Sequence, residues 1–281
     1  MLSTTCQDRY GSRSVPVGIA CLAMNAHLTD APDSGLPLTG ERTVPGLTVE
    51  NYWFRRHEVC YLRCADVCAG RDVLEAGCGE GYGADLIAAV ARRVVAVDYD
   101  AATVAHVRAR YPRVEVVAAN LADLPMADAS VDVVVNFQVI EHLWDQPQFI
   151  TECLRVLRPG GLLMISTPNR ITFTPGSDTP VNPFHTRELN AAELIELLTT
   201  GGFEVRSVSG VFHGPGLAEM DARHGGSIID AQIARAVADA PWPQDLLADV
   251  AAVRCEDFEI ADATERNIDE SLDLLAIAVR P

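Results

Sequence analysis

The sequence predicts a doubly wound α/β fold, a mostly parallel sheet with helices on both faces. Three observations point there. A short apolar strand, Asp72–Glu75, runs into a glycine-rich turn, Gly77-Cys78-Gly79-Glu80-Gly81, and then into a helix start. Strand-like and helix-like segments alternate from there to about Ser209, and that alternation builds parallel sheets. The segment Val131–Phe137 is almost continuously apolar, which suits a strand buried on both faces.

Taken in order, residues 1–37 are rich in Ser, Thr, Pro, Gly and Asp without any period, the composition of a disordered leader. Val15–Met24 is a short apolar patch behind Arg9 and Arg13. It resembles a weak signal peptide, but Pro16 and Gly18 break it. It is read as part of the leader, with Met24 as an alternative start. Residues 38–47 carry Thr39-Gly40 and Pro45-Gly46 and form a loop. Asn51–Cys68 has helical spacing, with Tyr52, Trp53, Phe54, Val59, Tyr61 and Leu62 as apolar positions. Arg55, Arg56 and His57 sit among them, either as a carboxylate clamp or as a solvated face.

Beyond Asp72–Glu75, helices are expected at 84–91, 101–110, 149–157 and 191–200. The second of these stops at Tyr111-Pro112, because proline disfavours helix in the residue before it. Gly201-Gly202 stops the last. Strands are expected at 93–97, 114–118, 131–137, 162–166, 203–209 and 272–279, seven in all with the first. Residues 211–270 do not alternate and read as an inserted helical cap before the last strand, with helices at 228–240 and 244–253 around Pro241-Trp242-Pro243. The whole of 38–281 is one domain.

The formal charge is −17, from 22 basic and 39 acidic residues. Nucleic-acid binding relies on Lys and Arg neutralising phosphate, so DNA and RNA are not expected as partners. No run is long and apolar enough for a membrane span. Of eight cysteines, Cys60, Cys64 and Cys68 recur every four residues and so share one helix face. They read as a buried face of small thiols rather than as metal ligands. The others show no framework spacing, which points to a reducing, cytoplasmic compartment.

The glycine turn is a cofactor loop of ambiguous kind. Gly79-x-Gly81-x-x-Ala84 fits the dinucleotide fingerprint in its G-x-G-x-x-A form. An acidic residue at the strand end, here Glu75, suits S-adenosylmethionine instead. Asp98 ends the second strand, where a carboxylate accepts hydrogen bonds from ribose hydroxyls of either cofactor. Tyr99 follows and can lie beside an adenine.

Three further segments decide. Ala119-Asn120-Leu121-Ala122-Asp123-Leu124-Pro125 through Ser130-Val131-Asp132, then Asn136-Phe137-Gln138-Val139-Ile140-Glu141-His142-Leu143, then Leu157-Arg158-Pro159-Gly160-Gly161-Leu162 together resemble class I S-adenosylmethionine-dependent methyltransferases over residues 70–210. The resemblance implies a Rossmann-like sheet. It implies cofactor contacts at Glu75, Gly77, Gly79, Asp98 and Asn120, with backbone contact near Phe137. Asn120 departs from the commoner aspartate, but an amide oxygen still accepts a hydrogen bond. From Leu38 onward, segments such as Asn51-Tyr52-Trp53-Phe54-Arg55-Arg56-His57, Asn182-Pro183-Phe184-His185 and Asp221-Ala222-Arg223-His224 resemble an actinobacterial branch. That branch is associated with methylglucose lipopolysaccharide synthesis, which implies a sugar hydroxyl as methyl acceptor.

A sugar hydroxyl needs its proton removed, by a base or with a metal. Glu141 and His142 follow the fourth strand, whose C-terminal end faces the ligand crevice of such sheets. His185 follows the fifth strand and approaches the same crevice. These three are the catalytic candidates, with His142 or His185 as base. Gln138-x-x-Glu141-His142 resembles a Glu-x-x-Glu-His metal motif, but the glutamine removes a charge that a hard cation wants. No metal is assigned, although a divalent ion remains an alternative. Arg223 and His224, in the inserted cap, are candidate substrate contacts on a lid. The competing functions are methylation of a quinone or other phenol, cofactor binding without turnover, and NAD-dependent oxidoreduction.

Overall fold

The computed structural model describes residues 42–238 and 240–281. The expected leader, Cys6 and Cys21 and the first turn of the loop at 38–47 lie outside the described residues. Helices are α1 (Asn51–Cys68), α2 (Tyr82–Ala88), α3 (Ala101–Arg110), α4 (Gln146–Val156), α5 (Arg170–Phe173), α6 (Ala191–Thr200), α7 (Pro215–Arg223), α8 (Ile228–Val237) and α9 (Gln244–Ala252). Strands are β1 (Asp72–Ala76), β2 (Arg93–Asp98), β3 (Glu115–Ala118), β4 (Val131–Phe137), β5 (Leu157–Pro168), β6 (Glu204–His213), β7 (Phe258–Asp262) and β8 (Asp273–Val279).

One sheet holds all eight strands in the order β3-β2-β1-β4-β5-β8-β6-β7. The pairs β1–β2, β1–β4, β2–β3 and β4–β5 are parallel. Strand β8 runs antiparallel between β5 and β6. The expected seven strands are present, and β7 is an eighth. It pairs antiparallel with the end of β6, Phe212 opposite Glu259. Residues 258–262 fell inside the segment read as helical cap, so that expectation is corrected. The cap starts after His213, contains the unforeseen α7, and ends by returning a strand to the sheet edge.

The doubly wound prediction follows from alternation of side chains along the strands. Val73, Val94, Val133 and Met164 face one core with α1, α2 and α3; Leu74, Val95, Val134 and Leu163 face the other with α4 and α6. A strand's successive side chains point to opposite faces, so the near-continuous apolar runs were needed to feed both cores. Strand β5 starts earlier than expected. Leu157 pairs with Val131 and Leu162 with Val133, so the Arg158–Gly161 turn bulges out within the strand.

Helix α1 presents Cys60, Cys64 and Cys68 to the core. Burial pushes the Cys64 and Cys68 thiols up to about 12 and Cys60 well up also, so they pack as protonated, apolar groups. The same helix carries Arg56, whose guanidinium makes a bidentate pair with Asp273 at 2.6 and 2.7 Å. Both side chains are buried. That charge is committed to the fold and is not a free carboxylate clamp, while Arg55 pairs with Glu58 at 2.6 Å.

Candidate active site

The strand order reverses between β1 and β4, since β1 leads to β2 on one side and faces β4 on the other. In open α/β sheets ligands bind at such a reversal, beyond the strands' C-terminal ends. The glycine loop after β1 and the Gln138–His142 turn after β4 meet there.

Glycine is required at Gly77 twice over. Its φ is +88°, a region L side chains rarely adopt. A Cβ there would also lie 2.6 Å from a methyl of Val139. Gly83 serves a different need, because a Cβ would lie 2.2 Å from the Tyr61 ring. That close approach lets the Tyr61 hydroxyl reach the loop and donate to Glu75 Oε1 at 2.6 Å.

Glu75 is fully buried and its Oε2 has no hydrogen-bond partner among the described residues. Burial raises its carboxyl to about 8. A buried acid with one orphaned oxygen is costly unless a cationic donor completes it. The α-ammonium of S-adenosylmethionine is such a donor. Asp98 accepts from the Gly79 N–H and the Asp100 N–H, both at 3.0 Å, which locks the loop to the end of β2. Burial raises its carboxyl as well. Tyr99 is 77% exposed beside it. Asn120 is exposed and its Oδ1 accepts from the Ala122 N–H at 2.9 Å. Phe137 is buried and meets Tyr61 edge to face at 4.9 Å. The orphaned Glu75 oxygen and the Gly77 cradle fit the cofactor.

A cavity adjoins this loop. Its wall includes Arg42, Glu50, His57, Gln138, Glu141, His142 and His185. Gln138 follows β4 with φ +56°, a strained value for a residue with a side chain. Its N–H is held by the Ser166 carbonyl at 2.9 Å. That twist turns the chain so that Glu141 and His142 come under the cavity.

The structure brings the three catalytic candidates together. The nearest donor atoms of Glu141, His142 and His185 lie within 4.8 Å of one another. Their states differ. His142 Nδ1 lies 3.0 Å from the Phe184 carbonyl oxygen. A carbonyl only accepts, so Nδ1 carries the proton and Nε2 the lone pair of the neutral ring. His185 Nδ1 bonds Glu188 Oε1 at 2.7 Å, and its Nε2 faces the Asn182 amide nitrogen at 3.1 Å. An amide N–H only donates, so the His185 lone pair is already used. Glu141 is buried, accepts from the Thr167 hydroxyl at 3.0 Å and is raised by burial to about 7. One carboxylate and two imidazoles are a reasonable donor set for a divalent ion, but His185 would first have to release Asn182.

Among the cavity residues that the sequence did not single out as site residues are Glu50 and His57. Glu50 is buried, and burial alone raises its carboxyl to about 7. It directly precedes α1 and makes no capping bond. An acid at a helix start reads as a dipole partner, which concealed it. His57 was seen only as part of a basic cluster. Burial lowers its imidazole to about 4, so it is neutral at physiological pH. Arg42 donates to the Thr103 hydroxyl at 2.7 Å, and the Thr43 and Tyr82 hydroxyls are 3.1 Å apart. Residues 42–50 therefore cross the glycine loop and continue into the cavity wall. The expected substrate contacts Arg223 and His224 are elsewhere. Both bind Asp249, at 2.9 and 2.8 Å, and tie α7 to α9. Neither lines the cavity among its described residues.

A methyltransferase domain model matches residues 74–165. A protein of Mycolicibacterium smegmatis named "probable S-adenosylmethionine-dependent methyltransferase" is 76% identical over 252 residues, covering 90% of this chain and 98% of that one. A ubiquinone biosynthesis O-methyltransferase of Rhizobium etli is 29% identical over 161 residues, covering 52% and 65%. Among solved structures, an S-adenosylmethionine-dependent methyltransferase from Thermotoga maritima superposes with a TM-score of 0.56 at 16% identity, covering 82% of this chain and 93% of that one.

Proposed function

Because this chain belongs to the class I S-adenosylmethionine-dependent methyltransferases, we propose that it methylates a sugar hydroxyl, in methylglucose lipopolysaccharide synthesis. The observation that carries the acceptor reading is the cavity itself. Glu50, His57, Asn182 and His142 surround one small space beyond β4, a density of donors and acceptors suited to a polyhydroxylated group. The pathway assignment rests on the residue resemblance set out for the stretch from Leu38 onward.

The bound cofactor supplies an activated methyl on a sulfonium, so the protein's part is alignment and proton removal. Glu75 holds the ammonium end and Asp98 the ribose. Tyr99 and Asn120 flank the adenine. His142 Nε2 is placed to take the acceptor's proton, with the cofactor, when bound, supplying the methyl and leaving as its thioether. His185, fixed by Glu188 and Asn182, buttresses the His142 ring. Glu141 holds the turn through Thr167. This scheme needs no metal. Arg223 and His224 serve the cap's cohesion rather than the acceptor. A charge of −17 supports a small-molecule or oligosaccharide acceptor over nucleic acid. Among the described residues no helix is long and apolar enough to cross a membrane. The free thiols of the described cysteines support a reducing, cytoplasmic setting.

The experiment is incubation with methyl-labelled cofactor and either gluco-oligosaccharides or phenols. Label entering the oligosaccharide is expected. Label entering phenols alone would sink the proposal in favour of a quinone or other phenolic acceptor, the second reading, which the Rhizobium etli relative favours.

A further inference from the structure

The acceptor cavity shares a wall with a second one. Trp53, Arg56 and Phe173 line both. The first has a volume of about 60 Å³, room for a handful of waters. Its narrow inner end takes the reacting hydroxyl, with the sugar ring at its mouth. The second has a volume of about 380 Å³, within the range of small-molecule pockets. A substituent on the acceptor that passes Trp53 and Phe173 at the shared wall reaches the second cavity.

The chemistry of that second wall is mostly apolar, aliphatic beyond the shared Trp53 and Phe173. Val181, Ile229, Ile233 and Leu272 contribute to it, together with Pro175. Its polar members are largely committed. Arg56 is bound to Asp273, and the Thr172 hydroxyl donates to the Ser271 carbonyl at 2.7 Å. Asp230 is exposed at the start of α8, where it forms the rim. A sugar alone would leave this surface unfilled and its own hydroxyls unpaired against it.

We propose that the second cavity binds an alkyl or acyl chain carried by the acceptor, so that the substrate is an amphipathic glycoside. The inference rests on the sugar-hydroxyl reading and narrows it. Helix α8 of the cap supplies Ile229 and Ile233, so the cap selects the acceptor through its apolar face rather than through Arg223 or His224.

The test compares methyl and octyl glucoside, the latter below its micellar concentration, with the protein loaded with S-adenosylhomocysteine. Burial of the added methylenes predicts that octyl glucoside binds on the order of tenfold to a hundredfold more tightly. Ile233→Trp and, independently, Ile229→Phe fill the cavity and are expected to cut that preference to under about threefold by the same scale. Unchanged S-adenosylhomocysteine affinity reports that each variant is folded. Equal binding of the two glucosides, or a preference that survives both substitutions, would overturn the inference. Tighter binding of phenyl than of octyl glucoside would also overturn it, in favour of an aromatic body. Turnover is measured separately. Failure to methylate any glucoside defeats the sugar reading, while the binding comparison still decides what the second cavity holds.

Discussion

His142 and His185 meet edge to face, with ring centroids 4.8 Å apart and planes at 86°. His142 Nδ1 faces the Phe184 carbonyl, whereas His185 Nε2 accepts from the Asn182 amide. The two rings are therefore held differently, which supports the proposed roles of His142 as base and His185 as its buttress.

Replacing His142 by Ala is expected to lower kcat by about 10²- to 10⁴-fold, the usual worth of a general base. Cofactor affinity should be unchanged in calorimetry. His185→Ala should cost less and should shift the pH profile of kcat rather than abolish its acid limb. Equal losses in the two variants, with the acid limb retained in His142→Ala, would reject the assignment. If Glu50→Gln instead removes that limb, the base is Glu50.

In the proposed cofactor pose, Asp98→Ala removes the acceptor for a ribose hydroxyl, and it also frees the Gly79 N–H. The ribose hydrogen bond to a charged group is worth about 1.5–3 kcal/mol, so S-adenosylhomocysteine affinity should fall roughly 10- to 100-fold. Retention of affinity within threefold would exclude Asp98 from the cofactor site.

Burial raises Glu50, Glu75 and Glu141 to between about 7 and 8. Each therefore holds its proton in the folded protein over a range where the unfolded chain has lost it. The folded state binds more protons, so stability falls as pH rises from about 4.5 towards 8. The ligand-free protein should melt higher at pH 6 than at pH 8 in calorimetry. Glu75→Gln should flatten part of that slope. In the proposed pose the ammonium of bound S-adenosylmethionine stabilises the ionised Glu75, so the cofactor should flatten it too. A Tm that rises with pH over this interval would contradict the burial argument.

Asp273→Ala strands the Arg56 guanidinium in the core. Breaking a buried ion pair costs about 3–5 kcal/mol, which chemical denaturation should read directly. Because Arg56 lines both cavities, acceptor binding should weaken as well. A loss under ~1 kcal/mol would mean that the charge finds water.

Gly83→Ala drives a methyl into the Tyr61 ring. The expected cost is about 1–3 kcal/mol, and Tyr61 should withdraw from Glu75. Cofactor affinity should change through that lost hydrogen bond. A crystal structure of the variant with Tyr61 unmoved would refute this.

Much of the fold was legible. Residues 51–68, 101–110, 131–137 and 191–200 were bounded as they fold, because their apolar period or a clear stop marked both ends. Strand β7 was not legible. Phe258-Glu259-Ile260-Ala261-Asp262 is short, lies at the sheet edge and follows two helices, so no alternation announced it. The candidate cofactor residues Glu75, Gly77, Gly79 and Asp98 were easy to group in the sequence, since they lie on one loop and one strand end that meet through the Gly79–Asp98 hydrogen bond. The acceptor wall was not. Glu50 and His57, Asn182 and Ile233 come from three separated stretches, and tertiary packing alone gathers them. Arg223 and His224 misled for the converse reason. Their chemistry suits a substrate, but Asp249, about 25 residues further along, takes both.

The crossing of the glycine loop by residues 42–50 bears on where the working unit begins. A shortened protein starting at Arg71 would retain every strand of the sheet. It would discard Arg42, Glu50, Trp53 and His57, and with α1 the Tyr61 hydroxyl that completes one side of Glu75. Such a fragment keeps the scaffold and forfeits the chamber. Any trimmed version meant for enzymology must therefore retain Arg42, thirty positions ahead of the first strand.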